Sequence, residues 1–240
     1  MVGRLPLPTI KEDDGVVSCF GNVPLIFLNL SVVQRPAETH DELRVFLNTV
    51  VRHAAICKYP SGVLLRLDWL PAGWENLVGE ACFAPMVPLT GMDADELLPP
   101  RQPLPNLDVR PVVNDAMARK LAELNALAYH MPADAFDCIA NMRLWHEDSY
   151  AYVGYLGGQA VSCAAAFPVN GTVYIALVAT LPERQGNGYA ETVIRQAVIR
   201  GQQAMRTART TLHASDMGLP VYRRMGYRPG PRMVILQPAQ

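Results

Sequence analysis

Paired cysteines, clustered histidines and long apolar runs are all missing from this 240-residue chain. The five cysteines (Cys19, Cys57, Cys82, Cys138, Cys163) are odd in number and include no Cys-x-x-Cys pair. Free thiols buried among apolar neighbours fit this better than a disulfide frame, and they point to a reducing compartment. The five histidines lie far apart without a His-x-x-x-His spacing, so no metal site is expected. No apolar stretch reaches the roughly 18 residues that a membrane span needs, and the chain does not open on a basic segment followed by an apolar one. The expected location is the cytoplasm, with no membrane partner. An excess of one charge is missing too: 21 basic against 22 acidic side chains leave a net charge of −1, which argues against a general nucleic-acid binder.

What is present is apolar and unevenly charged. Half of the residues are hydrophobic and 18% are charged, so a sizeable core is expected and disorder is not. Residues 1–105 carry 8 basic and 12 acidic side chains and residues 106–183 carry 4 and 8, whereas 184–240 carry 9 and 2, an excess of seven positive charges. A solvated arginine-rich surface accounts for most of them; the same excess also suits a phosphorylated ligand. Pro99, Pro100, Pro103 and Pro105 fall within seven residues, too dense for a helix or a sheet interior. They suggest a domain boundary: an N-terminal α/β domain over 1–98, a linker over 99–105 and a second domain over 106–240.

In the second domain, Leu107–Val112 reads as a strand. Asn114 is an N-cap for a helix over Asp115–Tyr129, and Ala133–Leu144 reads as a second helix. Ala151–Leu156, Gly157-Gly158 and Gln159–Phe167 form a hairpin signal, and Asn170-Gly171 marks another turn. A β-branched and aliphatic strand (Thr172–Thr180) then empties into Pro182, Gln185-Gly186-Asn187-Gly188-Tyr189-Ala190 and a helical segment over Glu191–Ala208. A strand, a glycine-rich turn and a helix N-terminus in that order make an anion seat. First-turn amides lack intrahelical partners, the helix dipole adds positive charge, and Gly186 and Gly188 carry no Cβ to hold a phosphate away. The loop is neither G-x-G-x-x-G nor a P-loop ending in Gly-Lys-Ser/Thr.

Gln-x-x-Gly-x-Ala after a strand, with Pro three residues ahead of the Gln, resembles the acyl-CoA-binding motif of the GNAT superfamily of N-acetyltransferases. A second motif follows in the right order. Thr211–Ser215 reads as a strand, and Gly218–Tyr227 resembles the later GNAT motif, a short helix bearing a Tyr and closing on Gly and an aromatic residue. The resemblance covers about Leu107–Leu236. It implies a GNAT-like α/β (α+β) fold, a mixed, mostly antiparallel sheet flanked by helices, beside the smaller N-terminal α/β domain.

The resemblance also implies acetyl-CoA as acyl donor and a primary amine, on a small molecule or a protein, as acceptor. The loop amides of Gln185, Gly186, Asn187, Gly188, Tyr189 and Ala190 would grip the pyrophosphate, and main-chain groups of Val178, Ala179 and Thr180 would pair with the pantetheine arm. An N–H around Leu177 or Val178 would polarise the acyl carbonyl. Tyr222 matches the family's general acid for the leaving thiolate, and a structural tyrosine is its plain alternative. Ser215 stands near where many members place an Asn that touches the cofactor arm. Pairing of two copies through sheet edges is common in the superfamily, which keeps a homodimer open.

A general base is not evident. Many relatives carry a Glu on the strand before the loop, but Tyr174–Thr180 holds no carboxylate. His213 is the nearest titratable group, with a core or surface role as the alternative. His146, Glu147 and Asp148 could line the acceptor side or form an exposed turn. The missing carboxylate keeps a silent acyl-CoA-binding or sensing module alive beside the enzyme.

The first hundred residues read as strands over Val16–Phe20 and Leu25–Val33, a helix over Glu38–Ile56, a strand over Gly62–Trp69 and a short helix over Trp74–Ala81. This order is similar to a worn second half of a GNAT domain that would pack on the catalytic domain and help shape the acceptor pocket. An unrelated α/β cap is the alternative. The loop after Val33 has no glycine, so it is not expected to hold phosphate.

Overall fold

The computed structural model describes residues 8–141, 145 and 148–239. The chain divides into two compact units, residues 1–91 with 230–240 and residues 92–229. Each has the expected mixed α/β architecture around a mostly antiparallel sheet. None of the described helices is long and apolar enough to cross a membrane.

The first unit starts with the antiparallel strands β1 (Thr9–Asp13), β2 (Val16–Phe20) and β3 (Asn29–Val33). Helix α1 (His40–Ala54) crosses back to β4 (Gly62–Arg66), which runs parallel to β3 with Leu30 opposite Gly62. Helix α2 (Trp74–Glu80) follows, then strand β5 (Phe83–Ala94). The helical period of α1 turns Leu43, Phe46, Leu47 and Val50 onto Val16, Val63 and Leu65 of the sheet. Two strands escaped the sequence reading. β1 has a single apolar residue, Ile10, and little burial, and β5 contains Pro85 and Pro88, which read as breakers. Ser18, Ser31 and His53 form a polar knot inside this core, with Ser18 Oγ 2.6 Å from Ser31 Oγ and 2.8 Å from His53 Nδ1. Both serines are fully buried, so the pair is core and not a nucleophile.

The second unit contains β6 (Asp108–Pro111), α3 (Asp115–Ala128), β7 (Tyr150–Leu156), β8 (Gln159–Val169), β9 (Thr172–Thr180), α4 (Tyr189–Met205), β10 (Thr210–Ala214) and α5 (Leu219–Arg224). β6 to β9 are successively antiparallel, and β10 runs parallel to β9. Helix α4 lies on the face formed by Tyr152, Ala164, Ala166, Val173, Ile175, Leu212 and Ala214. The approach is close: a Cβ on Gly201 would stand 2.9 Å from Val173 Cγ1. Helix α3 covers the opposite face, where Asn125 Nδ2 lies 3.4 Å from Cys163 Sγ.

Three expectations change here. The helix foreseen over Ala133–Leu144 is absent from 133–141, and 142–144 lie outside the described residues. After α3 ends with His130 in the left-handed region, the chain folds in tight i to i+3 turns from Pro132 to Ala140 that bury Phe136 and Ile139. The proline-rich segment 99–105 lies inside the second unit, because the Leu98 amide is already bonded to the Met225 carbonyl at 2.9 Å. The last strand, β11 (Arg228–Pro238), pairs antiparallel with β4, with Leu236 opposite Val63, so residues 230–240 complete the first unit. Of the cysteines, all free, only Cys163 is buried and Cys82 is exposed, which narrows the expectation of buried thiols.

Candidate active site

Strand β9 carries the first unusual feature. Its register against β8 runs regularly to Ala176 opposite Ala165, then resumes at Ala179 opposite Cys163, so Leu177 and Val178 face a single residue, Ala164. This is a β-bulge, and Leu177 sits in the left-handed region at φ 53°. Such backbone costs a non-glycine residue about 1 kcal/mol or more. The surroundings hold it there. Cys163 Sγ lies 3.5 Å from the Leu177 carbonyl, the Tyr129 hydroxyl donates to the Val178 carbonyl at 3.1 Å, and Ser162 Oγ donates to the Ala179 carbonyl at 2.9 Å.

The bulge falls where β9 loses its other neighbour. Pairing between β9 and β10 stops at Ile175 opposite Leu212, leaving Ala176–Thr180 and His213–Ala214 unpaired with each other. The Leu181 amide donates to the Val161 carbonyl, so antiparallel alternation turns Ala179 toward β8 and turns the N–H groups of Val178 and Thr180 to the open edge. An extended ligand arm can add to an edge of this kind as a strand would.

The loop beyond β9 is tied together internally. Asn187 Nδ2 donates to the carbonyls of Arg184 and Gln185, each at 3.0 Å, and Gln185 Nε2 donates to the Thr180 carbonyl at 3.4 Å. Gly186 and Gly188 both adopt φ 78°. Their roles differ from the expectation that both clear room for a phosphate. A Cβ on Gly188 would meet Pro105 Cδ at 3.3 Å, whereas Gly186 faces open space. Helix α4 then starts with no side-chain cap, and its first backbone bond runs from the Thr192 amide to the Gly188 carbonyl at 3.2 Å. The amides of its first turn have no intrahelical partner. Glu191, the acid of that turn, is tied to Arg195 at 2.7 Å. Beside the loop, Arg184 Nε is buried and has no hydrogen-bond partner among the described residues. Uncovered amides and an orphaned guanidinium donor fit an anion.

Tyr222 is buried on α5 with its ring edge-on to Tyr227, centroids 5.7 Å apart, and it lies within electrostatic reach of Tyr129 and Tyr174. Burial pushes its phenol far above the ordinary tyrosine range, so it keeps its proton and can only donate it. Tyr174 and Tyr129 are pushed up to about 12 by the same cause. Ser215 is occupied locally: its Oγ accepts from the Gly218 amide at 3.3 Å and helps start α5. His213 lies on the sheet face opposite Leu212 and Ala214, exposed, with Nδ1 3.1 Å from the Tyr174 hydroxyl. Asp148 is exposed and has a partner; His146 and Glu147 lie outside the described residues.

Residues 147–229 match the family model described as acetyltransferase (GNAT) domain. They form a GNAT domain. Its fold recurs in a GCN5-related N-acetyltransferase from Kribbella flavida, at TM-score 0.72 and 18% identity over 100% of this chain and 91% of that one. A functionally unknown conserved protein from Staphylococcus epidermidis superposes at TM-score 0.66 and 15% identity, covering 96% and 93%. A tandem GNAT protein from the clavulanic acid biosynthesis pathway does so at 0.52 and 12%, covering 92% and 77%. No curated protein sequence matches the chain.

Within the GNAT domain the bulge, the open edge of β9 and the uncapped start of α4 follow one another along the chain. The sequence reading missed Tyr129, Tyr174 and Arg184. The two tyrosines come from a helix and a strand with no local motif, and Arg184 was visible only as part of the basic excess.

Proposed function

We propose that the second unit is an acetyl-CoA-dependent N-acetyltransferase in which a primary amine, on a small molecule or a protein, attacks the thioester directly. The observation that carries this reading is the anion seat at α4, with its bare first turn and the unpartnered Nε of Arg184, directly after a bulged strand whose outer edge is open. Acetyl-CoA needs both: a place for its diphosphate and an edge for its amide-bearing arm. The amides from Gly186 to Glu191, with Arg184, hold the diphosphate. The Val178 and Thr180 amides hold the arm, and the bulge turns a main-chain N–H toward the acyl oxygen, where it stabilises the charge that develops on attack. Tyr222, buried and protonated, donates to the departing sulfur.

The second reading, a silent acyl-CoA-binding module, is favoured by one observation: Thr172–Thr180 contains no carboxylate to act as a base. Calorimetry with acetyl-CoA, followed by thiol release across a panel of primary amines, separates the two. Binding with thiol release supports the enzyme, binding without it supports the module, and no binding ends both.

The first unit reads as a degenerate GNAT-like repeat. Its order β1-β2-β3-α1-β4-α2-β5, with β3 parallel to β4, repeats β7-β8-β9-α4-β10-α5-β11, with β9 parallel to β10.

A further inference from the structure

We propose that His213, seated by the Tyr174 hydroxyl, is the group that takes the proton from the acceptor amine; this rests on the transferase reading above. The geometry starts from the parting of β9 and β10. The last paired residues are Ile175 and Leu212, and the next residue of β10 is His213. Its imidazole therefore stands at the mouth of the opening, on the face away from α4. Tyr174, one residue before the end of pairing on β9, meets Nδ1 at 3.1 Å, with the two rings edge-on at 5.7 Å and 66°. Nε2 has no partner among the described residues. The required carboxylate of an ordinary base is missing from β9, and besides Tyr174 and His213 neither β9 nor β10 carries a titratable side chain.

The tautomer decides the chemistry. When Nδ1–H donates to the Tyr174 oxygen, Nε2 carries the lone pair and can accept a proton; the opposite tautomer cannot. The first arrangement leaves the Tyr174 proton free for another acceptor, and Tyr174 then serves as a positioning residue. The titratable groups on the surrounding elements are Tyr174 on β9, Tyr129 at the C-terminal cap of α3, Tyr222 on α5 and Asp93 on β5. Asp93 shares the face of His213 by alternation from Met92 and Ala94, and it is held by Arg228 at 3.1 Å. None of these groups displaces the imidazole; although the residue is exposed, partial desolvation by the protein around the ring draws it below its ordinary value, which favours the neutral form near pH 7.

The protons balance as follows. An ammonium gives one proton to Nε2 of His213, directly or through one water, and the neutral amine attacks the thioester carbonyl. A C–N bond forms and the C–S bond breaks. The thiolate takes the Tyr222 proton, the nitrogen gives up its second proton to restore Tyr222, and His213 releases its own to solvent. The products are the amide, free thiol and one proton.

Three measurements on the full chain test this. Long-range 1H–15N NMR with acetyl-CoA bound should show His213 protonated on Nδ1 and bare on Nε2, and Tyr174→Phe should erase that preference. His213→Gln should lower kcat with phenethylamine, spermidine or a lysine peptide about 100-fold at pH 7 and remove the acidic limb of the pH profile. Calorimetry should give the variant the wild-type affinity for acetyl-CoA. An Nε2-protonated ring, or a His213→Gln variant with wild-type kcat and an intact limb, overturns the assignment while acetyl-CoA binding and turnover still stand. Failure of the wild-type chain to bind acetyl-CoA would instead remove the transferase reading, and this assignment with it.

Discussion

The two units build the same parallel crossover and finish its helix start in opposite ways. In the first, the loop from β3 to α1 has no glycine, and Thr39 caps the helix by accepting from the Glu42 amide at 3.2 Å. The Glu42 carboxylate reaches back to the Glu38 amide at 2.8 Å and to Arg35 at 3.1 Å. This is a capping box: the protein's own anion sits where an outside anion would bind. In the second unit, Gly188 stands in place of Thr39, the first turn is bare and its acid is drawn aside by Arg195. The strands differ in the same sense, since β3 pairs without interruption from Asn29 to Val33 while β9 bulges at Leu177. One crossover satisfies itself and so serves stability; the other leaves groups unsatisfied, and a ligand can satisfy them.

The largest expected effect comes from the tyrosine that only the second unit carries at this place. Tyr222→Phe should cut kcat about 100-fold with little change in melting temperature; thiol-release kinetics with parallel thermal denaturation would show it, and undiminished turnover would reduce Tyr222 to a packing residue. Next, Gly188→Val puts a β-branched side chain at φ 78° against Pro105. It should weaken acetyl-CoA binding about tenfold and cost about 1–2 kcal/mol of stability, read by calorimetry and urea unfolding. The matching change in the first unit, Thr39→Ala, should cost about 1 kcal/mol and leave acetyl-CoA affinity untouched. An affinity loss in Thr39→Ala would break the division of labour between the two helix starts. The smallest effect is on the pH dependence of stability. The unfolded chain protonates His213 near its ordinary value of 6.5, before the folded chain does. The contribution of the neutral ring is thus complete above that pH and is lost as pH falls below it. His213→Gln should flatten the acid side of the unfolding profile slightly, because the ring is exposed.

Much of the second unit could be read from local chemistry. Asn114 caps α3 as its side chain suggests, accepting from the Met117 amide at 3.0 Å, and the Gly157-Gly158 and Asn170-Gly171 turns adopt the positive φ values their residues favour. The glycine loop and the Tyr222 helix followed the same logic. What the sequence concealed depends on long-range contacts. Leu177 has an ordinary aliphatic side chain, and nothing in it announces a left-handed residue; only the contacts from Cys163, Tyr129 and Ser162 hold the bulge. The Tyr174–His213 pair joins two strands across the length of α4. Ala133–Leu144 kept a helical period, yet Pro132 and the burial of Phe136 and Ile139 favoured tighter turns. β5 was hidden by its own prolines.

The strand β11 sets a condition on how the first unit is made. Its core includes Val234 and Leu236, which are separated from the rest of that unit by the whole of residues 92–229. As the polypeptide emerges from the ribosome, β4 stays without this neighbour until more than a hundred further residues have been synthesised. A premature stop or proteolytic nick before residue 230 would therefore damage the half that was translated first.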